Sequence, residues 1–147
     1  MSILTAGRAT GFDISRSRTQ ALALRVAGAA LALGVAYIHV KDQGGIPGDK
    51  GPGYIAIGYW MLEIVGVLSA IALLVSTDRN AAKAWFLTIG VAAGPIVGYV
   101  LSRGPGLPSY TDDKGVWSEQ LGVISLVVEA ALLVLAASMW ARSRRES

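Results

Sequence analysis

Four apolar stretches, at residues 20–40, 54–76, 82–102 and 117–141, alternate with short polar or glycine- and proline-rich segments along this chain. A helix rises ~1.5 Å per residue, so ~20 apolar residues cross the ~30 Å hydrocarbon core of a bilayer. Each stretch reaches that length. All four are rich in alanine and leucine and lack the period-two alternation of a membrane barrel strand. The pattern predicts an all-α polytopic membrane protein, an antiparallel bundle of four transmembrane helices over 20–141. A basic arm at 1–19 and a basic tail at 142–147 flank it.

The connections differ in kind. Residues 41–53, KDQGGIPGDKGPG, carry turn chemistry, and residues 103–116, RGPGLPSYTDDKGV, hold two prolines and an acidic pair. Residues 76–81, STDRNA, form a tight polar link between neighbouring helices. The first stretch follows basic residues as a secretory signal does, but it exceeds the usual ~7–15 apolar residues and no small-residue cleavage pattern follows it. It reads as an uncleaved first helix.

Composition sharpens the assignment. Hydrophobic residues make up 53% of the 147 and charged residues 16%, against ~25% charged in soluble domains. The absence of cysteine excludes disulfides, thiolate metal sites and dithiol redox chemistry within the chain. The net charge of +3 does not point to nucleic acid, because Arg8, Arg16, Arg18 and Arg25 gather before or early in the first apolar run and Arg142, Arg144 and Arg145 after the last. Clusters of this kind orient membrane helices and attract anionic headgroups. The expected partners are the lipid bilayer and other membrane-protein subunits. With Arg79 and Lys83 on the same side, the basic bias puts both termini in the cytoplasm.

Small residues predict how the helices meet. Gly28, Ala32 and Ala36 form a stripe on the first helix, Ala56, Gly66 and Ala70 on the second, and Ser118, Gly122, Ser125 and Ala136 on the fourth. The third carries Gly90-x-x-x-Gly94-x-x-x-Gly98 with Pro95 as a bend. Close backbone approach at such motifs drives helix association in lipid. On this reading, leucine at Gly94 weakens assembly.

Within this apolar frame the candidate chemistry is sparse. Glu63 and Glu129 lie inside the second and fourth stretches, ~13 and ~17 Å from their outer starts. Carboxylates at that depth are costly and are shielded, neutralised or in use. Their matched depths predict a shared cavity, with His39 and Arg103 above it and Tyr59, Trp60 and Tyr99 in the same outer half. Ser125 is one turn before Glu129 and is placed to bond to it. Each member also has a plainer explanation: Arg103 as an interfacial anchor, Tyr54, Trp60, Trp85, Trp117 and Trp140 as an aromatic belt, His39 as a solvated interfacial residue, and the glutamates as packing glue.

Several chemistries can be weighed against these parts. A metal set of His39 with the two glutamates has suitable ligand types but no recognised spacing. A single histidine excludes bis-histidine haem ligation within the chain and leaves one axial ligand open. Quinone or lipid-headgroup binding would use His39, Arg103 and the aromatics. Proton movement would use Glu63 and Glu129. No Ser/His/Asp arrangement and no phosphate-cradling loop is present. The cofactor stays open.

Two blocks of residues carry a likeness. His39 closing the first helix, Ile46-Pro47, and Tyr54-x-x-Ile57-Gly58 make one; Gly106-Leu107-Pro108 and Ser125-x-x-x-Glu129 make the other. Together they resemble a group of small, uncharacterised four-helix integral membrane proteins of high-GC Gram-positive bacteria. That resemblance implies a plasma-membrane location and no particular activity. The expected function is a membrane protein without independent catalysis, an accessory subunit or ligand-binding module with an outward-facing polar cavity. A proton- or ion-coupled transporter using Glu63 and Glu129, and a redox component binding haem or quinone near His39, are the alternatives.

Overall fold

The structure is a computed structural model that describes the backbone of residues 6–145 and the side chains of residues 18–145. Arg8 and Arg16 and the outermost residues of the expected arm and tail lie outside the described side chains. Four helices follow one another: α1 Ala6–Asp42, α2 Gly53–Val75, α3 Ala81–Arg103 and α4 Gln120–Arg145. Each contains a segment long and apolar enough to cross a membrane. Among the described residues there is no strand; Leu107 and Tyr110 form one isolated bridge.

The helices match the hydropathy pattern with two differences. α1 begins at Ala6, so most of the segment expected as an arm continues the first helix. α4 begins at Gln120, leaving Trp117 in the preceding loop. Gly104 ends α3, its N–H returning to the Val100 carbonyl at 2.9 Å. The four helices run up and down. The start of α1, the end of α4 and the 76–80 link share one end, the termini end, and the 43–52 and 104–119 loops share the other, the loop end.

In cross-section α1 packs mainly on α2, and α3 on α4; α1–α4 and α2–α3 contacts close the ring. α1 also meets α3 across the short diagonal, whereas α2 and α4 stand on the long diagonal without close backbone approach. The core is densest towards the termini end. There Trp85, Leu73 and Leu132 are fully buried with Ala29, Ala32, Ala84 and Ala136 around them. Trp85 is therefore a core residue and not part of an aromatic belt. A Cβ on Gly28 would lie 2.7 Å from the Trp85 ring, so glycine is what lets the indole cross between α1 and α3. Gly66 does the same on a smaller scale, a Cβ there lying 3.2 Å from the Cβ of Ala36.

Two polar contacts fix the termini half. Thr88 gives its hydroxyl hydrogen to the Ala84 carbonyl at 2.9 Å, so in the Ser69–Thr88 contact at 2.7 Å Ser69 is the donor, bonding α2 to α3 inside the core. Arg25 reaches the Ser76 carbonyl at 2.6 Å and Asp78 at 2.7 Å. It thus supplies positive charge just past the C-terminal end of α2, where the helix dipole favours it. Outside this core the helices present Leu22, Leu33, Met61, Ile64, Leu74 and Val127 outward, as helices solvated by lipid chains do.

The Gly90, Gly94 and Gly98 stripe does not make the helix contact expected of it. A Cβ at any of the three would meet no atom within 4 Å. The motif gives spacing along α3 but not which way the stripe faces, and in this chain it faces open space. Gly94→Leu is accordingly expected to leave the stability of the bundle unchanged, since no clash arises within it.

Candidate functional site

A cavity of about 360 Å³ occupies the loop half of the bundle, bounded by all four helices and the 104–119 loop. α1 contributes His39 and Asp42, α2 Tyr59, α3 Tyr99 and Arg103, and α4 Ser125 and Glu129. Six of the expected site residues thus come together: His39, Tyr59, Tyr99, Arg103, Ser125 and Glu129.

Glu129 forms the floor and is 1% exposed. Ser125, one turn earlier, donates its hydroxyl hydrogen to Glu129 Oε1 at 2.5 Å. His39 Nδ1 donates to the Val35 carbonyl at 2.9 Å. That bond commits Nδ1 as the protonated nitrogen and turns Nε2 toward the glutamate, 3.8 Å from Oε1. Carboxyl and imidazole sit as a pair able to offer either a proton or a lone pair to whatever occupies the cavity.

Arg103 forms the roof, where it is 7% exposed and not an anchor reaching to headgroups. Its guanidinium contacts Ser102 Oγ at 3.0 Å, Asp113 at 3.4 Å and Glu119 at 2.8 Å, and stacks 4.0 Å over the Tyr99 ring. Gly122 makes room for it: a Cβ there would lie 2.8 Å from the Tyr99 ring and 3.3 Å from Arg103 Nη2. The Arg103 Nε–H is buried without a partner. Tyr99 donates to the Trp117 carbonyl at 2.6 Å, and Gly115 donates to the Arg103 carbonyl at 2.8 Å, which ties the 104–119 loop to the end of α3.

The side wall holds a second polar group. Asp42 accepts from Lys50 at 2.6 Å and from the Tyr59 hydroxyl. The Tyr59 ring packs against His39 with centroids 5.3 Å apart. Tyr54 donates to the Pro108 carbonyl at 2.7 Å, tying α2 to the 104–119 loop, and Tyr110 donates to Asp113 at 3.1 Å within that loop. Burial and the neighbouring Asp113 carboxylate push the Tyr110 phenol up to about 12, keeping it a hydrogen-bond donor.

Two expected members stand elsewhere. Glu63 does not line the cavity; its Oε1 accepts from Gln43 Nε2 at 2.5 Å, bonding α2 to the residue just past α1. The reason is the face of α2: Gly58, Tyr59 and Leu62 line the cavity, while Glu63 is turned toward Gln43 at the end of α1. Trp60 is 43% exposed on the outside of α2, the position of an interfacial aromatic. The metal set of His39, Glu63 and Glu129 is not assembled, and among the described residues no group of three histidine or acidic side chains is placed to hold a metal ion.

The structure adds Asp42, Asp113, Glu119 and Tyr110 to the site. In sequence these read as loop or loop-edge residues; Arg103 and Glu119 are 16 positions apart with no motif between them. Gly94 and Gly98, expected at a helix contact, line the cavity instead. No family model, curated protein or solved structure matches this chain. The chemistry of the cavity is therefore the ground on which its function is read.

Proposed function

We propose that this protein is a non-catalytic plasma-membrane module that binds a small amphipathic ligand in its loop-end cavity, acting alone or as an accessory subunit of a larger membrane complex. The observation that carries this reading is the cavity itself: about 360 Å³, with apolar walls and buried polar groups at floor and roof. Such a combination, a concave apolar site with a few convergent polar groups, is the usual form of a small-ligand pocket. The hydrogen bonds of Tyr59, Tyr99 and Tyr110 are internal, which suits them to shape the site.

The reading predicts that protein purified in mild detergent retains a small molecule recoverable by solvent extraction, and that Ser125→Leu, which fills the floor, loses it. Absence of any bound molecule, together with no saturable binding across lipophilic neutral, cationic and anionic probes, would overturn it. A larger protein recovered in the same pull-down supports the accessory role.

The basic bias supports a topology with both termini in the cytoplasm and the cavity open outward. Reporter fusions at residue 147 are expected to be active only in the cytoplasm; activity on the outer side inverts the assignment.

One observation favours a second reading. His39 and the buried Glu129, two proton-carrying groups 3.8 Å apart, both line the cavity, which suits proton-coupled transport, with Glu63 taking no direct part. Under that reading flux into proteoliposomes responds to pH and is abolished by Glu129→Gln. Binding without flux favours the module.

A further inference from the structure

The cavity is not closed on all sides. Gly58 on α2 and Gly94 and Gly98 on α3 all line it, and a Cβ at any of them would meet nothing within 4 Å. Gly58 and Gly94 are exposed. Below them Ser69 and Thr88 hold α2 and α3 together. The two helices are thus joined in the termini half and parted in the loop half by a cleft with glycine edges, which faces the lipid-exposed side of the bundle.

The polar groups narrow what enters. Arg103 already faces two carboxylates, Asp113 and Glu119, so a phosphate or carboxylate head would compete with them and add repulsion. Ser102, Asp113 and Glu119 take three of the five guanidinium N–H groups, which leaves Arg103 a donor for a neutral oxygen. At the floor, Glu129 and His39 suit either a carbonyl or a hydroxyl. The roof lies at the level of Gly122, seven residues above Glu129, or ~10 Å along α4. A ring with two oxygens at opposite positions holds them about 5 Å apart by standard bond lengths. With a hydrogen bond of roughly 2.8 Å at each end it spans about 11 Å. The cavity is near the small end of ligand pockets, about 300–1,000 Å³. It has room for such a ring and the start of a tail, and the rest of a membrane-soluble tail must leave through the cleft.

We propose that a lipid-soluble para-quinone or quinol enters this cavity from the bilayer through the glycine-edged α2/α3 cleft, with one ring oxygen at the Arg103 guanidinium and the other at the Glu129–His39 pair. The proposal rests on the ligand-binding reading above and names the ligand class for that same site. It concerns binding alone.

The test uses the full chain in lipid nanodiscs, titrated with a singly prenylated naphthoquinone while tryptophan fluorescence is read. Saturable quenching is expected. The Gly94→Leu, Gly98→Leu double variant should weaken it at least tenfold with an unchanged melting temperature, since both side chains enter open space. Arg103→Lys, which keeps a cation for Asp113 and Glu119 but removes the planar guanidinium and its spare N–H, should also weaken it about tenfold. Unchanged binding in the double-leucine variant overturns entry through the cleft, and unchanged binding in Arg103→Lys overturns the head contact. If tetraphenylphosphonium or a long-chain alkyl phosphate binds saturably and the naphthoquinone does not, the quinone class falls while the cavity remains a ligand site. If none of the three binds, the ligand-binding reading fails with it.

Discussion

Leucine at position 28 is expected to destabilise the bundle more than any other single change on α1. Gly28 is pressed against the Trp85 indole, with a Cβ position 2.7 and 2.8 Å from two ring carbons and 3.1 Å from Leu73 Cδ1. Contacts under 3 Å require something to move, and the neighbour here is a rigid ring, fully buried and surrounded by helix. Overpacking a close-fitted core costs about 1–3 kcal/mol and occasionally more. A leucine adds three carbons beyond a Cβ that already clashes, so a loss of about 3 kcal/mol or more is expected. Thermal unfolding in detergent measures it, and Gly90→Leu, whose Cβ meets nothing, is the matched control. Equal melting temperatures for the two variants would refute the α1–α3 crossing over Trp85.

The second large effect is expected at Arg103→Ala. One guanidinium holds Ser102, Asp113 and Glu119 and covers the Tyr99 ring. Its removal leaves two carboxylates near each other without a cation at the edge of a low-dielectric cavity. Breaking a fully buried pair costs about 3–5 kcal/mol. Here Glu119 is 39% exposed at its side chain, and water reaching it reduces the penalty to about 2–4 kcal/mol. The loss should fall when Asp113→Asn and Glu119→Gln are added, because those changes remove the charges left unpaired. If the triple variant is no more stable than Arg103→Ala alone, the electrostatic account fails and the loss belongs to packing on Tyr99.

The four membrane-crossing segments were legible in sequence because hydropathy is a one-dimensional signal: a long apolar run that must satisfy its backbone internally becomes a helix. Packing was legible only in part. Gly28, Ala32 and Ala36 form a buried stripe as their spacing implies, but the equally spaced Gly90, Gly94 and Gly98 do not. Spacing establishes that residues share a face and leaves open which neighbour that face meets. Depth misleads in a similar way. Glu63 and Glu129 are at comparable levels, yet only Glu129 is on a face of its helix that meets the cavity, and depth alone does not encode which way a side chain turns. Trp85 illustrates the same gap, since a tryptophan near a helix end reads as interfacial until its neighbours are known. The Ser125–Glu129 bond was readable because it lies within one helical turn. The Arg103 cluster was not, because its acidic partners come from a loop whose path depends on Gly106, Ser109 and Gly115 turning the chain back over the bundle.

The hydroxyl contact between Ser69 and Thr88 has a mechanical consequence. A single hydrogen bond fixes the separation of two helices far better than it fixes the angle between them. Ser69 is eleven residues from Gly58, ~16 Å along α2. Around a pivot at Ser69, a tilt of about 5° moves the edge of the cleft by roughly 1.4 Å over that lever arm. The alanine-lined core beside the pivot scarcely shifts. Opening toward the bilayer is then a small rotation of one rod against another, with no helix unwound.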